Sequence, residues 1–593
     1  MRKSILALIG LAASAGAAVL IYRNWRHIVR HPLKLSPATY AVGVMRNIPI
    51  EVEHGLTLAA DHYYPKAAGR FPTILVRSPY GRELRGGPIG LVYGFVLRRI
   101  AERGYHVIAQ DTRGRYESDG KFDPFADEVW DGRITLDWIK RQPWFEATLG
   151  VGMTGPSYLG YTQWAAAIEP ARTPHLKAIM PIMTSSQFFT VIHADGSFAL
   201  DTVLHWMQIT FLAGQPERKR QFITPAEEDR RLANLFDQLP VQDVDQLLLG
   251  ERVDFYQDAL NHPDRTGPRW RSIDLSDRVG KVEAAAHLLT GWHDFMLREL
   301  LADYQRLAAA GRNPHLTIGP WYHADARYLV EAVRTGLTWF DVHLKGQREK
   351  LRDKPVRLFV MGTDEWRDFE AWPPKALSLR YYLREERLLS IEPPTNGERP
   401  DRYRYDPADP TPNLGGPLIN LPQGAVRDNR ELEARRDVLT YTTSPLDRDL
   451  EVIGPVRLEL FAQSTLAHTD FFGRLCDVQP AGPSLNVCDG LIRVKPEPQV
   501  FQPEHNGCTR SCGENKLHVE IDLWATAYCF KRGHRLRLII SSGAHPRWLR
   551  NLGTGEPIGT ARQMVPADQI ILHDLTHPSA LILPVSLSSP AEH

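Results

Sequence analysis

Gly155-Pro156-Ser157-Tyr158-Leu159-Gly160 follows the apolar run Leu149-Gly150-Val151-Gly152-Met153 and precedes Gln163-Trp164-Ala165-Ala166-Ala167-Ile168. The first run reads as a short buried strand and the second as the start of a helix. A serine on a sharp strand-to-helix turn, flanked by glycines, is the context of a nucleophile elbow. Glycines are needed there because the turn is strained and neighbouring backbones come close. The turn lifts the hydroxyl clear of the sheet and leaves the backbone N–H of Tyr158 to donate to a developing oxyanion. The usual spacing is G-x-S-x-G; here Leu159 holds the place of the second glycine and Gly160 follows it. The alternative is a Gly-rich turn whose serine caps the next helix, and the surrounding chain has to decide.

Upstream, Ile48–Val52 and Leu56–Asp61 read as an opening strand pair turning at His54-Gly55. Phe71–Arg77 is a strand ending in Ser78-Pro79-Tyr80-Gly81, followed by a helical segment from Leu91 to Glu102. Tyr105–Asp111 is a second buried strand closed by Thr112-Arg113-Gly114-Arg115, and Asp127–Lys140 has helical spacing. Strand, helix, strand, helix, strand is the pattern of a doubly wound α/β sheet, whose catalytic groups gather at the carboxyl ends of its strands. Leu176–Met183 continues the sheet. Residues 185–275 then carry aromatic and long apolar side chains at helical spacing (Phe188, Phe189, Ile192, Phe198, Leu204, Trp206, Met207, Phe211), which reads as an inserted helical cap. The sheet resumes with Ala286–Gly291, ending in Trp292-His293-Asp294, and His315–Pro320, ending in Trp321-Tyr322-His323. A further helix is expected from Trp339 onward and a strand at Val356–Met361. From Ser378 the helical periodicity gives way to short alternating strands between Pro- and Gly-rich turns, the texture of a jelly-roll β-sandwich. The expected organisation is therefore an N-terminal segment (1–35), an α/β core in two parts (40–184 and 276–377) around a helical cap (185–275), and a β-sandwich over 378–593.

Net charge is near zero, with 71 basic and 70 acidic residues among 593, which argues against a nucleic-acid partner. Arg2 and Lys3 precede an uncharged stretch from Ser4 to Tyr22, and Arg23, Arg26, Arg30 and Lys34 follow it. Ala13-Ser14-Ala15 offers a signal-peptide cleavage site; the stretch is also long enough for one membrane-spanning helix. The trailing positive charge favours an uncleaved anchor, and both readings place the protein at a membrane or outside the cytoplasm. All five cysteines lie late: Cys476, Cys488, Cys508, Cys512 and Cys529. An exported chain would form one or two disulfides from them. His505, Cys508, Cys512 and His518 are candidate metal ligands whose spacing matches no standard zinc pattern.

A nucleophilic serine needs a base, and the base needs an orienting acid. In α/β-hydrolases the chain order is Ser, Asp/Glu, His. Asp294 and His323 satisfy it, each just past the carboxyl end of a strand, on the rim where Ser157 stands. His287 and His315 fall within strands, His293 adjoins the acid, and His343 lies in a helix; Asp303 and Asp325 are rival acids. Tyr80 closes the strand before the first crossover helix, the loop that usually supplies the second oxyanion donor, and its phenol O–H can act in place of a backbone N–H.

Ser78-Pro79-Tyr80, Gln110-Asp111-Thr112-Arg113-Gly114, Gly155–Gly160, Gly291-Trp292-His293-Asp294 and Gly319-Pro320-Trp321-Tyr322-His323 together resemble the cocaine esterase / X-Pro dipeptidyl-peptidase (CocE/NonD) family, across residues 45–585. The displaced glycine resembles the form this family uses. The resemblance implies a triad of Ser157, Asp294 and His323, an oxyanion hole of Tyr80 and the Tyr158 N–H, and a small ester or amide substrate cleaved through an acyl-enzyme. It implies no metal or organic cofactor. It leaves open an exopeptidase releasing X-Pro dipeptides, for which Glu169, Asp195 and Asp201 are candidate partners of a substrate ammonium. A third reading is a binding protein that uses the β-sandwich and has an idle hydrolase domain.

Overall fold

The computed structural model describes residues 35–82, 87–212, 225–419, 424–496, 508–511 and 516–586. The N-terminal segment up to residue 34 lies outside them. So do His505, Cys512 and the side chain of Cys508. Among the described residues no helix is long and apolar enough to cross a membrane, and no group of three or more His, Cys, Asp or Glu is placed to hold a metal ion.

The first part of the chain builds a ten-stranded sheet. Its strands are β1 (Val42–Glu53), β2 (Leu56–Pro65), β3 (Thr73–Ser78), β4 (His106–Asp111), β5 (Val151–Pro156), β6 (Leu176–Ile182), β7 (Ala285–His293), β8 (His315–Tyr322), β9 (Val356–Val360) and β10 (Glu365–Phe369). Their spatial order is β1-β2-β4-β3-β5-β6-β7-β8-β9-β10. The stretch from β4 to β9 is parallel, while β1, β2 and β10 are antiparallel to their neighbours. Every residue of β3 and β4 is buried, as a parallel strand covered on both faces requires. The chain leaves β3 for β4 on one side and returns to β5 on the other. That puts the topological switch point at the carboxyl ends of β3 and β5, where sheets of this kind bind ligands.

Helices α1 (Gly87–Ala101), α2 (Glu128–Lys140), α3 (Tyr158–Ala167), α4 (Leu297–Ala309) and α5 (Tyr328–Lys345) cover the sheet. Two boundaries differ from expectation. Helix α5 begins at Tyr328, well before Trp339. Helix α3 begins at Tyr158, not Gln163, and is buried along its whole length. Tyr-Leu-Gly reads as turn by propensity, but burial overrides propensity here. Gly160 is required by that packing, because a Cβ there would lie 2.4 Å from Cγ2 of Thr184.

Between β6 and β7 the chain forms helices at Leu200–Met207, Pro225–Phe236, Val244–Leu249, Asp254–Asn261 and Pro268–Ile273, with a π-helical turn at Gln208–Leu212. The apolar side chains of this segment merge with the core of the sheet domain. From Ala376 to Ser586 the chain is a β-sandwich with a core of its own, including Leu458, Leu460, Phe471, Leu523, Leu538 and Leu581. The sandwich is tied to both other parts. Met361, past the end of β9, exchanges backbone hydrogen bonds with Ala527 and Cys529 at 2.9 and 2.8 Å. The cap backbone at Asp195, Phe198 and Asp201 bonds to Arg493, Leu549 and Pro546 at 2.7 to 3.0 Å.

Three cysteines depart from the disulfide expectation. Cys476, Cys488 and Cys529 are buried free thiols, and burial pushes all three thiols up in pKa. His518, one of the candidate metal ligands, stacks on Phe461 with ring centroids 4.6 Å apart.

Candidate active site

Ser157 ends β5 and caps α3 with φ 59° and ψ −126°. A non-glycine residue adopts such a left-handed conformation at a cost of order 1–3 kcal/mol, and the surrounding structure must enforce it. The enforcement is visible. The Ser157 N–H donates to Ile182 O at 2.9 Å, and Thr184 Oγ1 donates to Ser157 O at 2.7 Å. Gly155, at φ +144°, leaves no room for a side chain, since a Cβ would lie 2.6 Å from that of Leu159.

Asp294 and His323 follow β7 and β8 directly. The strands pair in parallel, so the two side chains meet: His323 Nδ1 lies 2.7 Å from Asp294 Oδ2. Asp294 is fully buried, and its other oxygen accepts the Met296 N–H at 2.8 Å. Both oxygens thus have fixed roles, which locks the imidazole tautomer with Nδ1–H on the carboxylate and Nε2 turned away from it. Phe295 packs on the imidazole, with ring centroids 4.4 Å apart.

Tyr80 follows β3 at the switch point and is buried. Its hydroxyl accepts the Trp206 indole N–H at 3.2 Å, with the side chains of Ser157 and Thr210 close by. Burial raises its pKa, while these groups and the nearby Arg115 oppose the rise. Tyr158, the next residue after Ser157, points its side chain into the core. Its hydroxyl donates to Glu128 Oε1 at 2.8 Å and accepts the Phe125 N–H at 3.0 Å. Burial holds its pKa well above the usual value.

The rival residues have other surroundings. Burial lowers His293, His315 and His343 to about 4 and His287 further still. Asp303 bonds Ser186 and Arg306, and Asp325 is chelated by Arg327. The three candidate ammonium partners are not brought to Ser157. Asp195 is buried in an ion pair with Arg298 at 2.6 Å. Asp201 is buried against His205 at 3.2 Å. Glu169 lies beyond the far end of α3.

Beside Ser157 a pocket opens toward the cap, walled by Phe125, Phe188, Val191, Trp206, Phe255 and Phe295. Phe125 and Phe188 stack at 4.0 Å. Among the described residues no carboxylate lines it. The sequence reading picked out Phe188 and Trp206 as cap aromatics but not Phe125, Phe255 or Phe295. For Phe295 a signal was present, because it directly follows Asp294.

Comparison with known proteins agrees with this architecture. Residues 54–325 match the X-Pro dipeptidyl-peptidase (S15 family) model and residues 350–582 match the X-Pro dipeptidyl-peptidase C-terminal non-catalytic domain. A cocaine esterase from Rhodococcus is 33% identical over 91% of this chain and 98% of its own. A solved α-amino acid ester hydrolase superposes with a TM-score of 0.78 at 23% identity, covering 93% of this chain and 98% of that one. An aminopeptidase from a Thaumarchaeota archaeon superposes with a TM-score of 0.76 at 22% identity, with the same coverage of both chains. With the motifs, the sheet order and the two-part relationship in hand, the chain belongs to the cocaine esterase / X-Pro dipeptidyl-peptidase family and is a serine hydrolase of ester or amide bonds.

Proposed function

We propose that Ser157, His323 and Asp294 are the catalytic triad, and that the enzyme hydrolyses esters whose acyl group is apolar and uncharged. His323 Nε2 takes the Ser157 proton as Oγ attacks the carbonyl carbon. The oxyanion forms between the Tyr158 N–H and the Tyr80 O–H. His323 then gives the proton to the leaving oxygen, and Asp294 stabilises the imidazolium in between. Water attacks the acyl-enzyme by the same route and releases the acid. The observation that carries the reading is the 2.7 Å contact of His323 with a buried Asp294, on the rim that also holds the strained Ser157.

The pocket wall supports the substrate class. An ammonium brought among Phe125, Trp206 and Phe295 would lose its hydration with no carboxylate of the described lining to replace it, whereas an apolar acyl group gains from burial there. The name of the Rhodococcus relative, cocaine esterase, points the same way. The test compares turnover of an aryl ester with that of a Gly-Pro anilide. The ester reading predicts a preference for the ester of about two orders of magnitude or more in kcat/KM, the scale at which a site rejects an unpaired charge. A preference for the anilide would replace it with the exopeptidase reading.

We also propose that residues 1–22 place the enzyme at a membrane or outside the cytoplasm. N-terminal sequencing of protein from its native membrane or culture fluid tests this. A mature chain starting near Gly16 excludes the anchor.

A further inference from the structure

Arg115 stands out among the buried cations. It is only 7% exposed, and it forms no ion pair among the described residues. Its guanidinium is held by main-chain oxygens instead. Nε donates to Pro79 O at 2.9 Å and Nη2 to Thr210 O at 2.5 Å. Its positive face lies over the rings of Tyr116 and Phe122, 5.4 and 5.0 Å from their centroids. The acidic group acting on it, Asp111, is already engaged by Arg82 at 2.8 Å.

A buried cation without a carboxylate is expensive to fold around, so its place needs a reason. The two carbonyls it grips supply one. Pro79 immediately precedes Tyr80. Thr210 lies in the π-helical turn that follows Trp206, and the Trp206 indole N–H donates to the Tyr80 hydroxyl. Arg115 therefore joins the oxyanion loop to the cap segment that orients the Tyr80 O–H. It also sets a positive charge behind the point where negative charge develops. Such a fixed charge in a water-poor site acts strongly on a transition state and requires no reorganisation.

We propose that Arg115 is a positioning residue of the oxyanion hole, clamping the Tyr80 loop to the cap and lending its charge to the Tyr80 hydroxyl. This rests on Tyr80 being an oxyanion donor, as read above.

The test is a double-mutant cycle in the full-length chain, with Arg115→Gln, Tyr80→Phe and the double variant assayed on a short-chain aryl ester. Removing a direct oxyanion donor lowers kcat about 10²–10³-fold; an indirect partner is expected to give about 10–100-fold, with KM changed less than about threefold. Because Arg115 acts through Tyr80, its loss in the Tyr80→Phe background is predicted to matter less than about threefold. An inhibitory boronic acid, whose adduct carries a tetrahedral oxyanion, is predicted to lose affinity for Arg115→Gln in step with kcat. Full additivity in the cycle, or an Arg115→Gln kcat within threefold of the parent, overturns the proposal. If Arg115→Gln does not fold, Arg115→Lys decides. It keeps the charge and is predicted to retain kcat within about tenfold; a larger loss overturns the role of charge. A Tyr80→Phe variant of full activity is a different failure, one that removes the oxyanion reading itself.

Discussion

The hydroxyl of Tyr158, the residue after Ser157, donates to Oε1 of Glu128 at 2.8 Å. The Tyr158 hydroxyl oxygen in turn accepts the N–H of Phe125 at 3.0 Å, so one side chain fixes both the turn and a wall of the pocket. Beyond Glu128 the fully buried Arg77 continues the chain, 2.5 Å from Glu128 Oε2 and 2.8 Å from Gln110. The elements β3, α2 and α3 are thereby joined by one run of polar contacts through the core.

Tyr158→Phe breaks this run and leaves a carboxylate oxygen and a backbone N–H unsatisfied. Each buried unsatisfied group costs about 1–3 kcal/mol. A stability loss in that range is expected in urea denaturation, with kcat falling more than KM rises, because the Tyr158 N–H shifts relative to Ser157. Unchanged stability would show that the network carries no net weight.

Gly160→Ala tests the packing that replaces the usual glycine spacing. The new Cβ would meet Thr184, whose hydroxyl bonds the Ser157 carbonyl. Overpacking of this kind costs about 1–3 kcal/mol. Both the melting temperature and kcat are predicted to drop.

The architecture was legible in the sequence because burial on both faces leaves continuous apolar strands and because catalytic groups follow strand ends. Asp294 and His323, which the structure places in contact, each come one residue after such an end. The Arg77–Glu128–Tyr158 run was not legible. Arg77 and Glu128 are 51 positions apart, and no local pattern marks an arginine inside an apolar strand as paired. The start of α3 was missed for a related reason. Tyr158-Leu159-Gly160 suits a turn locally, and only the fit of Gly160 against Thr184 makes it helical. Cys476, Cys488 and Cys529 illustrate the opposite error. Export suggested pairing, but each of the three is a buried free thiol.

Stability should also depend on pH through Asp111. Burial, with Asp61 and Glu117 competing for the same Arg82, pushes its carboxyl up to about 7. A folded-state pKa above the unfolded value, near 3.9, means the native state holds the extra proton. Its stabilising contribution is complete below about pH 4 and is lost as the pH rises toward 7. Chemical denaturation at pH 4.5 and pH 7 is predicted to show a smaller loss of stability with rising pH in Asp111→Asn than in the parent. An identical pH dependence in both would contradict this.

Arg298→Met probes the tie between the cap and α4. Arg298 is held by Asp195 at 2.6 Å and lies over Trp524 of the sandwich. Removing it strands a buried carboxylate, which costs about 3–5 kcal/mol. The loss should appear in denaturation curves, and Asp195→Asn in the same background should recover part of it.

The most direct test of the catalytic assignment is labelling of the folded protein with a fluorophosphonate probe, followed by mapping of the modified peptide. Modification at Ser157, abolished in Ser157→Ala and strongly slowed in His323→Ala, is the predicted result. Absence of labelling in protein shown to be folded, or labelling that survives Ser157→Ala at another serine, would contradict the triad of Ser157, His323 and Asp294.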